Sequence, residues 1–320
     1  MPAQQFLGKP IHYWVNELDS PSPQGRRGAA FALGKMGAAA VPQLPKLVQA
    51  LKDRDSAVRE EAASAIGEIG LALANSYLET VRSKPGRPGD PSVKEEEERA
   101  AEECHRAWEV VRSGLLQLLS EASDAPLRRS AAFAVGGYGP SAADARPALE
   151  KALRDRDPGV RQNAAWALGR IGPAAGPEAV ANLCQALQDA DAAVRRDAAG
   201  ALGQIGRPTA SSAIGALAEC CRRDADDGVR KAAVDALINL AGPEDRAAVP
   251  DLSALLSHAD PDVARGAALA LGNIGGRDAA AAVPVLRQAL QDEDPAVRSL
   301  AAAALANIGP NAAAAVPDLT

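Results

Sequence analysis

Aromatic residues are scarce in this sequence. Only three Trp, three Tyr and three Phe occur among 320 residues, although 47% of the chain is hydrophobic. The apolar residues are therefore mostly Ala, Leu, Val and Ile, and small side chains of this kind favour closely packed helices over one large globular core. The composition predicts an array of helices with short distances between their axes.

Cysteine and histidine are also few, and their spacing does not fit the common metal sites. No CxxC pair occurs, and the cysteines and histidines do not form the paired spacing of a zinc site. We therefore predict no metal site, no disulfide framework, no cofactor and a reducing compartment. The adjacent cysteines 220 and 221 are either a redox pair or, as we favour, one buried and one exposed helix residue. The residues concerned are Cys104, Cys184, Cys220, Cys221, His12, His105 and His258.

Long apolar runs and a positive charge balance are absent as well. No hydrophobic stretch approaches the ~20 residues of a membrane helix, no leader-like segment follows Met1, and the formal net charge is −6. We expect a cytoplasmic protein that binds no membrane and does not have nucleic acid as its main partner. Because no nucleophile-elbow sequence or GxxxxGK[ST] loop occurs, we assign no catalytic residue and predict no enzymatic activity.

One phrase recurs along the chain, with the form V-R-x-x-A-A-x-A-L-G-x-I-G. Its Arg position recurs every 33 to 35 residues, except for one interval of 69 residues, which indicates an insertion. Repetition at such a period is the signature of a solenoid. Clear copies are Val58–Gly70, Leu127–Gly139, Val160–Gly172, Val194–Gly206, Val229–Ala241 and Val297–Gly309, and looser copies are Arg26–Gly37 and Val263–Gly275.

Each phrase has the periodicity of a helix. With the Arg numbered zero, apolar residues fall at −1, +3, +7 and +10, as in Val160, Ala164, Leu168 and Ile171, and the closing Gly suits a left-handed C-terminal position. A second helix lies upstream, as in Val41–Leu51 and Val283–Leu290, with Pro tolerated in its first turn. Each unit is therefore a hairpin of helix A and helix B.

The predicted fold is all-α, a single right-handed α-solenoid of eight hairpins over residues 1–320. Residues 71–106 are an inserted helical hairpin, and residues 310–320 begin a further helix. The predicted hairpins are 7–37, 38–70, 107–139, 140–172, 173–206, 207–241, 242–275 and 276–309.

The repeated phrase, preceded by D-x-D, resembles the bacterial HEAT repeats, particularly the subtype first described in phycobilisome lyases. The resemblance covers nearly the whole chain and implies a solenoid fold. It also implies an alternative function, attachment of a bilin chromophore, and a less favoured one, nucleic-acid binding as in HEAT-like DNA glycosylases. None of the three histidines is followed by Glu, so the His-Glu ligand pairs of HEAT-repeat di-iron hydroxylases are missing.

Pairs of Asp precede most of these phrases, six and four residues before the Arg. A catalytic pair would occur once, whereas these recur in unit after unit, so we expect them to cap helix B and to pair with the Arg of the same unit. The predicted structural ladder consists of Asp55, Arg59, Asp157, Arg161, Asp191, Arg195, Asp226, Arg230, Asp294 and Arg298.

A partner surface is expected where the B helices line the concave side of the solenoid. The positions +1, +2, +5 and +9 carry seven cations against five acids, and +5 holds three aromatics, a combination typical of interaction hot spots. We predict a protein or peptide partner, with an acidic segment as one candidate, at a site centred on Phe133, Trp166, Arg129 and Arg170; core packing is the alternative for Phe31 and Phe133. The candidates are Arg27, Phe31, Lys35, Arg129, Phe133, Trp166, Arg170, Arg196, Lys231, Asn239, Arg265, Asn273 and Asn307.

The three asparagines occupy +9 in the last three units. This row is similar to the asparagine ladder with which armadillo-repeat proteins hold an extended peptide, since each amide can serve one N–H and one C=O. Helix capping or simple solvation is the alternative interpretation.

The insertion and the two ends lie outside the repeated phrases. We predict a helix over Leu71–Arg82, a Pro/Gly-rich loop over Ser83–Ser92 and an acidic run over Glu95–Glu98, which together form a protruding hairpin; a capping or docking role is the alternative. Trp14 is expected to cover the first hairpin. The C-terminal face around Leu300 lacks a polar cap, which suggests oligomerisation or a longer array.

Overall fold

In the computed structural model, the chain is an all-α solenoid of paired helices. The structure describes residues 5–83 and 91–318, with side chains from 5–76 and 94–318. The chain divides into two compact units, Met1–Ala174 and Ala175–Thr320.

The first unit contains four hairpins. Its A helices are α1 (Ile11–Glu17), α3 (Leu44–Ala50), α5 (Pro91–Glu121) and α7 (Arg146–Ala152), and its B helices are α2 (Pro23–Lys35), α4 (Ser56–Ser83), α6 (Ala125–Gly137) and α8 (Pro158–Ile171). The second unit also contains four. Its A helices are α9 (Gly176–Ala186), α11 (Ile214–Arg223), α13 (Val249–Leu255) and α15 (Val283–Ala289), and its B helices are α10 (Ala192–Ile205), α12 (Asp227–Leu240), α14 (Pro261–Ile274) and α16 (Pro295–Ile308).

Helix α8 shows how the repeated phrase becomes structure. Its apolar stripe, including Val160 and Leu168, is fully buried. Asp157 caps its first turn by accepting a hydrogen bond from the Val160 N–H at 3.0 Å, and Gly172 ends it with φ +69°, a conformation that side chains with a Cβ disfavour.

Gly70 departs from the rule that the phrase's final Gly ends helix B. Helix α4 continues through Gly70 to Ser83, because the insertion extends it. The glycine is needed there for another reason: an added Cβ would lie 2.9 Å from Cε2 of the buried Tyr138 ring.

The insertion lengthens both helices that flank it. After α4 has carried the chain to Ser83, α5 begins at Pro91 and joins the acidic run to the A helix of the third hairpin. Most of the predicted loop, residues 84–90, lies outside the described residues. Within α5, the buried Trp108 donates from Nε1 to Asp144 Oδ1 at 2.9 Å, so this long helix is fixed to the fourth hairpin.

The A helix of the second hairpin starts later than the sequence predicts. A 3-10 segment covers Gly37–Gln43, so Val41 and Pro42 precede α3, and Pro45 occupies its first turn instead. In α15, the helix does begin at Val283.

An arginine ladder joins successive hairpins, but its partners differ from those predicted. Arg128 donates from Nε and Nη2 to both carboxylate oxygens of Asp155, at 2.7 and 2.8 Å, in the next hairpin. Its Nη1 donates to the carbonyls of Ala122 and Ser123 in its own turn. The arginine therefore pairs with the first Asp of the following turn, because its side chain crosses the turn towards that hairpin.

The prediction that each Arg pairs with an Asp of its own unit is thus wrong. The second Asp of each pair mainly caps helix B, as Asp55, Asp157, Asp191, Asp226 and Asp294 do. Each Arg–Asp pair between neighbouring hairpins is a rung of this ladder, and Arg26–Asp53 and Arg195–Asp224 are further rungs. Arg59 and Arg298 donate to carbonyls of their own turns. The Arg128 fork holds the pKa of Asp155 below its usual value.

His258 modifies the rung in the seventh hairpin. It stands at the first Asp position, and its Nδ1 accepts the Asp260 N–H at 3.0 Å. Arg230 then reaches Asp260 instead, with its Nη2 3.0 Å from Oδ2. A neutral imidazole nitrogen can replace a carboxylate as the turn acceptor, but it cannot form an ion pair with arginine.

Short elements cover the two ends of the described chain. Two-residue strands β1 (Gln5–Phe6) and β2 (Lys9–Pro10) pair antiparallel, and Trp14 Nε1 donates to the Phe6 carbonyl at 3.3 Å. At the other end, residues Gly309–Asp318 form a 3-10 segment, with Ala312 and Ala315 buried. No further α-helix follows α16 within the described residues, so the one predicted to begin at 310 is absent there.

One stretch of the described chain, Pro295–Asp318, is long and apolar enough to cross a membrane by length and composition alone. It consists of α16 and the 3-10 segment, and Gly309 interrupts it with φ +66°. Val297 and Leu305 of α16 are buried. The first part of this stretch is therefore helix B of the last hairpin, with its apolar side buried in the fold.

The ladder predicts a large difference between two adjacent arginines. Arg128→Met should lower the free energy of unfolding by about 3 kcal/mol, because it leaves the little-exposed Asp155 carboxylate without its cation. Arg129→Met, which removes a half-exposed pair with Asp157, should cost below about 1 kcal/mol. Urea denaturation followed by circular dichroism measures both. Equal losses would contradict the ladder as the main link between hairpins.

Candidate functional site

Two aromatic rings stack on the helix-B face of the first unit, the face formed by positions +1, +2, +5 and +9 of α2, α4, α6 and α8. The rings of Phe133 and Trp166 lie 5.3 Å apart between centroids, with 17° between their planes. Both side chains are half-buried. Part of the surface of the stack is therefore exposed to solvent, and the rest packs against the protein.

Glycines at +8 make room for the stack. A Cβ on Gly136 would lie 2.4 Å from Trp166 Cζ3, and one on Gly67 would lie 2.9 Å from Phe133 Cδ1. A Cβ on Gly136 would also lie 2.9 Å from the Cα of Ala167, and one on Gly67 would lie 2.8 Å from the Cα of Ala134, in the next B helix. Phe133 and Trp166 thus each lie across a glycine of the preceding B helix, an arrangement that the sequence analysis missed although the recurring +8 Gly signalled it.

Phe31 lies apart from this stack. It is 42% exposed, its ring meets the Phe6 ring edge-on at 6.0 Å, and Lys35 Nζ lies 5.2 Å from its centroid. The three aromatics predicted as one row therefore form a stacked pair and a separate exposed ring.

Most of the predicted cations on the B helices are paired with carboxylates. Two of these carboxylates, Asp157 and Asp294, belong to turns and were not part of the sequence count for this face. The pairs are Arg27–Glu61 at 3.2 Å, Lys35–Glu68 at 2.6 Å, Arg129–Asp157 at 2.9 Å, Arg196–Asp197 at 3.6 Å and Arg265–Asp294 at 3.0 Å.

Arg170 is the exception in the first unit. Its guanidinium carbon lies 6.0 Å from the Trp166 ring centroid, a cation–π distance. Its Nε is buried and has no hydrogen-bond partner, which is costly, and no carboxylate pairs with it among the side chains of residues 5–76 and 94–318. The unneutralised guanidinium beside the half-buried Trp166 ring is suited to an acidic or carbonyl group of a bound partner.

The helix-B face of the second unit is formed by the same positions of α10, α12, α14 and α16, and it is more polar. Asn273 donates from Nδ2 to the Ile238 carbonyl at 3.0 Å, and Asn307 donates to the Gly272 carbonyl at 3.2 Å. Each of these two exposed amides is therefore held by a hydrogen bond to the carbonyl at position +8 of the preceding B helix. Asn239 and Lys231 are exposed, and Leu269 is 38% exposed.

The cysteines do not fulfil the expectation of one buried and one exposed thiol. Cys220 and Cys221 are both buried, because α11 packs against both α12 and α13. Burial raises the pKa of Cys220 to about 11 and that of Cys221 to about 12. Within the described part of the chain, no group of three or more His, Cys, Asp or Glu residues could hold a metal ion.

Paired helices, Gly-terminated B helices and an inter-hairpin ladder define an α-solenoid of helical repeats. The family described as HEAT repeats matches residues 11–88, 113–184, 174–238, 216–283 and 249–320, and the chain belongs to it. This match concerns the family as a whole; the phycobilisome-lyase-like subtype and a bacterial origin remain predictions.

Solved structures agree on the fold. The chain is similar to YibA of E. coli, at 18% identity over 93% of this chain and 92% of that one, with a TM-score of 0.54. It is also similar to importin beta, at 17% identity over 97% of this chain and 44% of that one, with a TM-score of 0.55. No curated protein matches in sequence.

The aromatic stack predicts opposite effects for two helix glycines. Gly136→Ala should destabilise the protein by about 1 to 3 kcal/mol, because its Cβ would collide with the Trp166 ring. Gly28→Ala in α2 meets nothing within 4 Å and should stabilise by up to about 1 kcal/mol. Thermal unfolding of both variants is the measurement. A stabilised Gly136→Ala variant would show that the ring does not lie on this glycine.

The buried cysteines predict low thiol reactivity. At pH 8, the thiols of Cys220 and Cys221 should remain protonated in the folded protein, since their pKa values lie well above that pH. A colourimetric disulfide reagent should therefore label them at the rate of unfolding, and rapidly in denaturant. Rapid labelling of Cys220 or Cys221 in the native protein, located by peptide mass spectrometry because Cys184 is only half-buried, would contradict their burial.

Proposed function

We propose that the chain is a non-catalytic scaffold that binds an extended segment of another protein on the helix-B face of its first unit. The centre is the Phe133–Trp166 stack with Arg170. Arg129, predicted as part of this centre, instead holds the Asp157 carboxylate with Nε and Nη2. We also propose a cytoplasmic location.

The single observation that carries this proposal is Arg170. The side chain combines a cation–π contact with Trp166 and a buried Nε that lacks an acceptor. An aromatic surface beside an unpaired guanidinium is the arrangement found at the centre of protein interfaces, where the ring is covered and the guanidinium binds a carboxylate or carbonyl. The partner segment should therefore place an apolar side chain beside an acidic or carbonyl group.

Two features favour a protein partner over a small molecule. The stack lies on a surface formed by successive helices, rather than in an enclosed cavity, and its neighbouring cations are neutralised by carboxylates of the same unit. An open surface with one unpaired cation suits a chain that crosses several B helices. An oligomer formed through the C-terminal hairpin remains a separate proposal.

The test uses substitutions in this centre and a matched one outside it. Partners are isolated by co-purification with the full chain and identified by mass spectrometry, and the Kd of each purified partner is measured by calorimetry. Trp166→Ala should weaken binding by about 2 kcal/mol, which is roughly 30-fold in Kd. Arg170→Gln should weaken it as well, because it removes the charge.

Val110→Ala is the control, because Val110 is 43% exposed on α5, an A helix. Its Kd should equal that of the unaltered protein, and circular dichroism should show that all variants are folded. If Trp166→Ala and Val110→Ala bound the partner with equal affinity, the partner would not lie on the helix-B face.

A further inference from the structure

One rung of the arginine ladder lacks its carboxylate. In two complete rungs of the first unit, Arg26 holds Asp53 with Nε and Nη2 at 2.6 and 2.8 Å, and Arg128 holds Asp155 at 2.7 and 2.8 Å. Between them lies Arg59, and the residue at the corresponding position of the next turn is Ala122.

Arg59 is nevertheless oriented as the other ladder arginines are. Its Nη1 donates to the carbonyls of Asp53 and Arg54 at 2.8 and 3.3 Å, as Arg128 Nη1 does to its own turn. Its Nη2 lies 3.8 Å from Asp124 Oδ2, too far for a hydrogen bond. Its Nε has no acceptor among the described residues. The fork that binds a carboxylate elsewhere is therefore in place and unused.

The backbone at this turn lacks the same acceptor. In a complete turn, Asp155 Oδ1 also accepts the Asp157 N–H at 2.9 Å, and Asp157 caps α8. At the incomplete turn, the side chain of Asp124 makes no cap hydrogen bond to α6. The missing carboxylate thus leaves the Arg59 fork with only a long ion pair to Asp124, and it leaves both the fork and the Asp124 N–H without a hydrogen-bond acceptor in the described residues.

The vacant position is accessible. A groove of about 580 Å³ is lined by Lys52, Arg59, Gln117, Ser123 and Asp124, among others. Grooves of similar size, about 540 and 520 Å³, border the two complete rungs, so the three places differ in chemistry rather than in size. Of the acids nearby, Glu121 already accepts a hydrogen bond from Gln117 at 2.9 Å.

We propose that the groove between the second and third hairpins binds a carboxylate supplied by another molecule, which completes the rung of Arg59. The carboxylate accepts from Nε and Nη2 of Arg59, a planar bidentate arrangement that arginine favours, and from the Asp124 N–H. Asp124 is then free to cap α6, as Asp157 caps α8. Two neighbouring carboxylates are tolerated here, since Asp155 and Asp157 already form such a turn.

The test observes the proposed donors directly. The full chain is labelled with 15N, and the Arg59 Nε–Hε signal is assigned by its loss in Arg59→Lys. The probe is acetyl-Gly-Asp-Gly-amide, and the matched control is acetyl-Gly-Asn-Gly-amide, which has the same shape without the charge. The Asp peptide should shift the Arg59 Nε–Hε and Asp124 amide signals in a saturable way, and the Asn peptide should not.

Ala122→Asp provides the decisive variant, because it supplies the missing carboxylate from within the chain. Without peptide, the Arg59 signal of this variant should lie at the position that the signal of the unaltered protein reaches when it is saturated with the Asp peptide. The signal of the variant should not respond to the peptide. The midpoint of its unfolding in urea should be higher than that of the unaltered protein. A response that persists in Ala122→Asp, or an equal response to the Asn peptide, overturns the proposal. If the variant fails to fold, loss of the Asp124 response in Arg59→Lys is required instead, and its persistence overturns the proposal.

Two further probes distinguish the source of the group. Acetyl-Gly-Gly with a free C-terminus tests a chain-end carboxylate, and a stronger response to it than to the Asp peptide supports the site with a chain end as its ligand. Inorganic phosphate tests the class itself: if phosphate saturates the signals at lower concentration than both carboxylates, the carboxylate assignment is overturned. This site lies on the turns, so its failure leaves the proposal for the helix-B face unaffected.

Discussion

The structure depends on an arginine that holds a carboxylate of the next hairpin while it ties together its own turn. This side chain satisfies turn carbonyls that would otherwise lack donors and neutralises a little-exposed Asp. Because each rung joins only neighbours, the stability of such an array is approximately a sum of hairpin terms and neighbour terms. A single rung therefore controls one junction without disturbing the others.

The junction without a rung is also the one that carries the insertion, and aromatic contacts hold it. Tyr138 is buried and donates from its hydroxyl to the Ile66 carbonyl at 3.2 Å, and its ring centroid lies 5.7 Å from that of Trp108. Trp108 comes from α5, the helix that the insertion lengthens. The packing of two large buried rings thus offsets the missing ion pair, and Arg59 can stay without its carboxylate in a stable fold.

Periodicity predicts elements better than it predicts partners. The helix-B stripe and the Gly that ends α8 follow from local spacing, so they could be read from the sequence. The partner of Arg128 could not be predicted in this way. The repeat places one Asp in the turn of the same hairpin and another in the next turn, and only the geometry of the turn brings Asp155 to Arg128. The charge of the helix-B face was overestimated for a related reason: Arg129 meets Asp157, which is 28 residues away in sequence.

Departures from the repeat locate the two candidate sites. In a periodic array, a polar side chain that is paired in every repeat helps to hold neighbouring hairpins together. A side chain whose partner is missing in one repeat keeps a donor that can bind an outside group. Arg59 lacks the bidentate carboxylate of the other rungs because Ala122 stands where their turns have an Asp, and Arg170 has a buried Nε without an acceptor. The aromatic stack alone would be compatible with core packing, since Gly67 and Gly136 accommodate it from behind. Its half-exposed surface beside an unpaired guanidinium is what favours a binding role over a purely structural one.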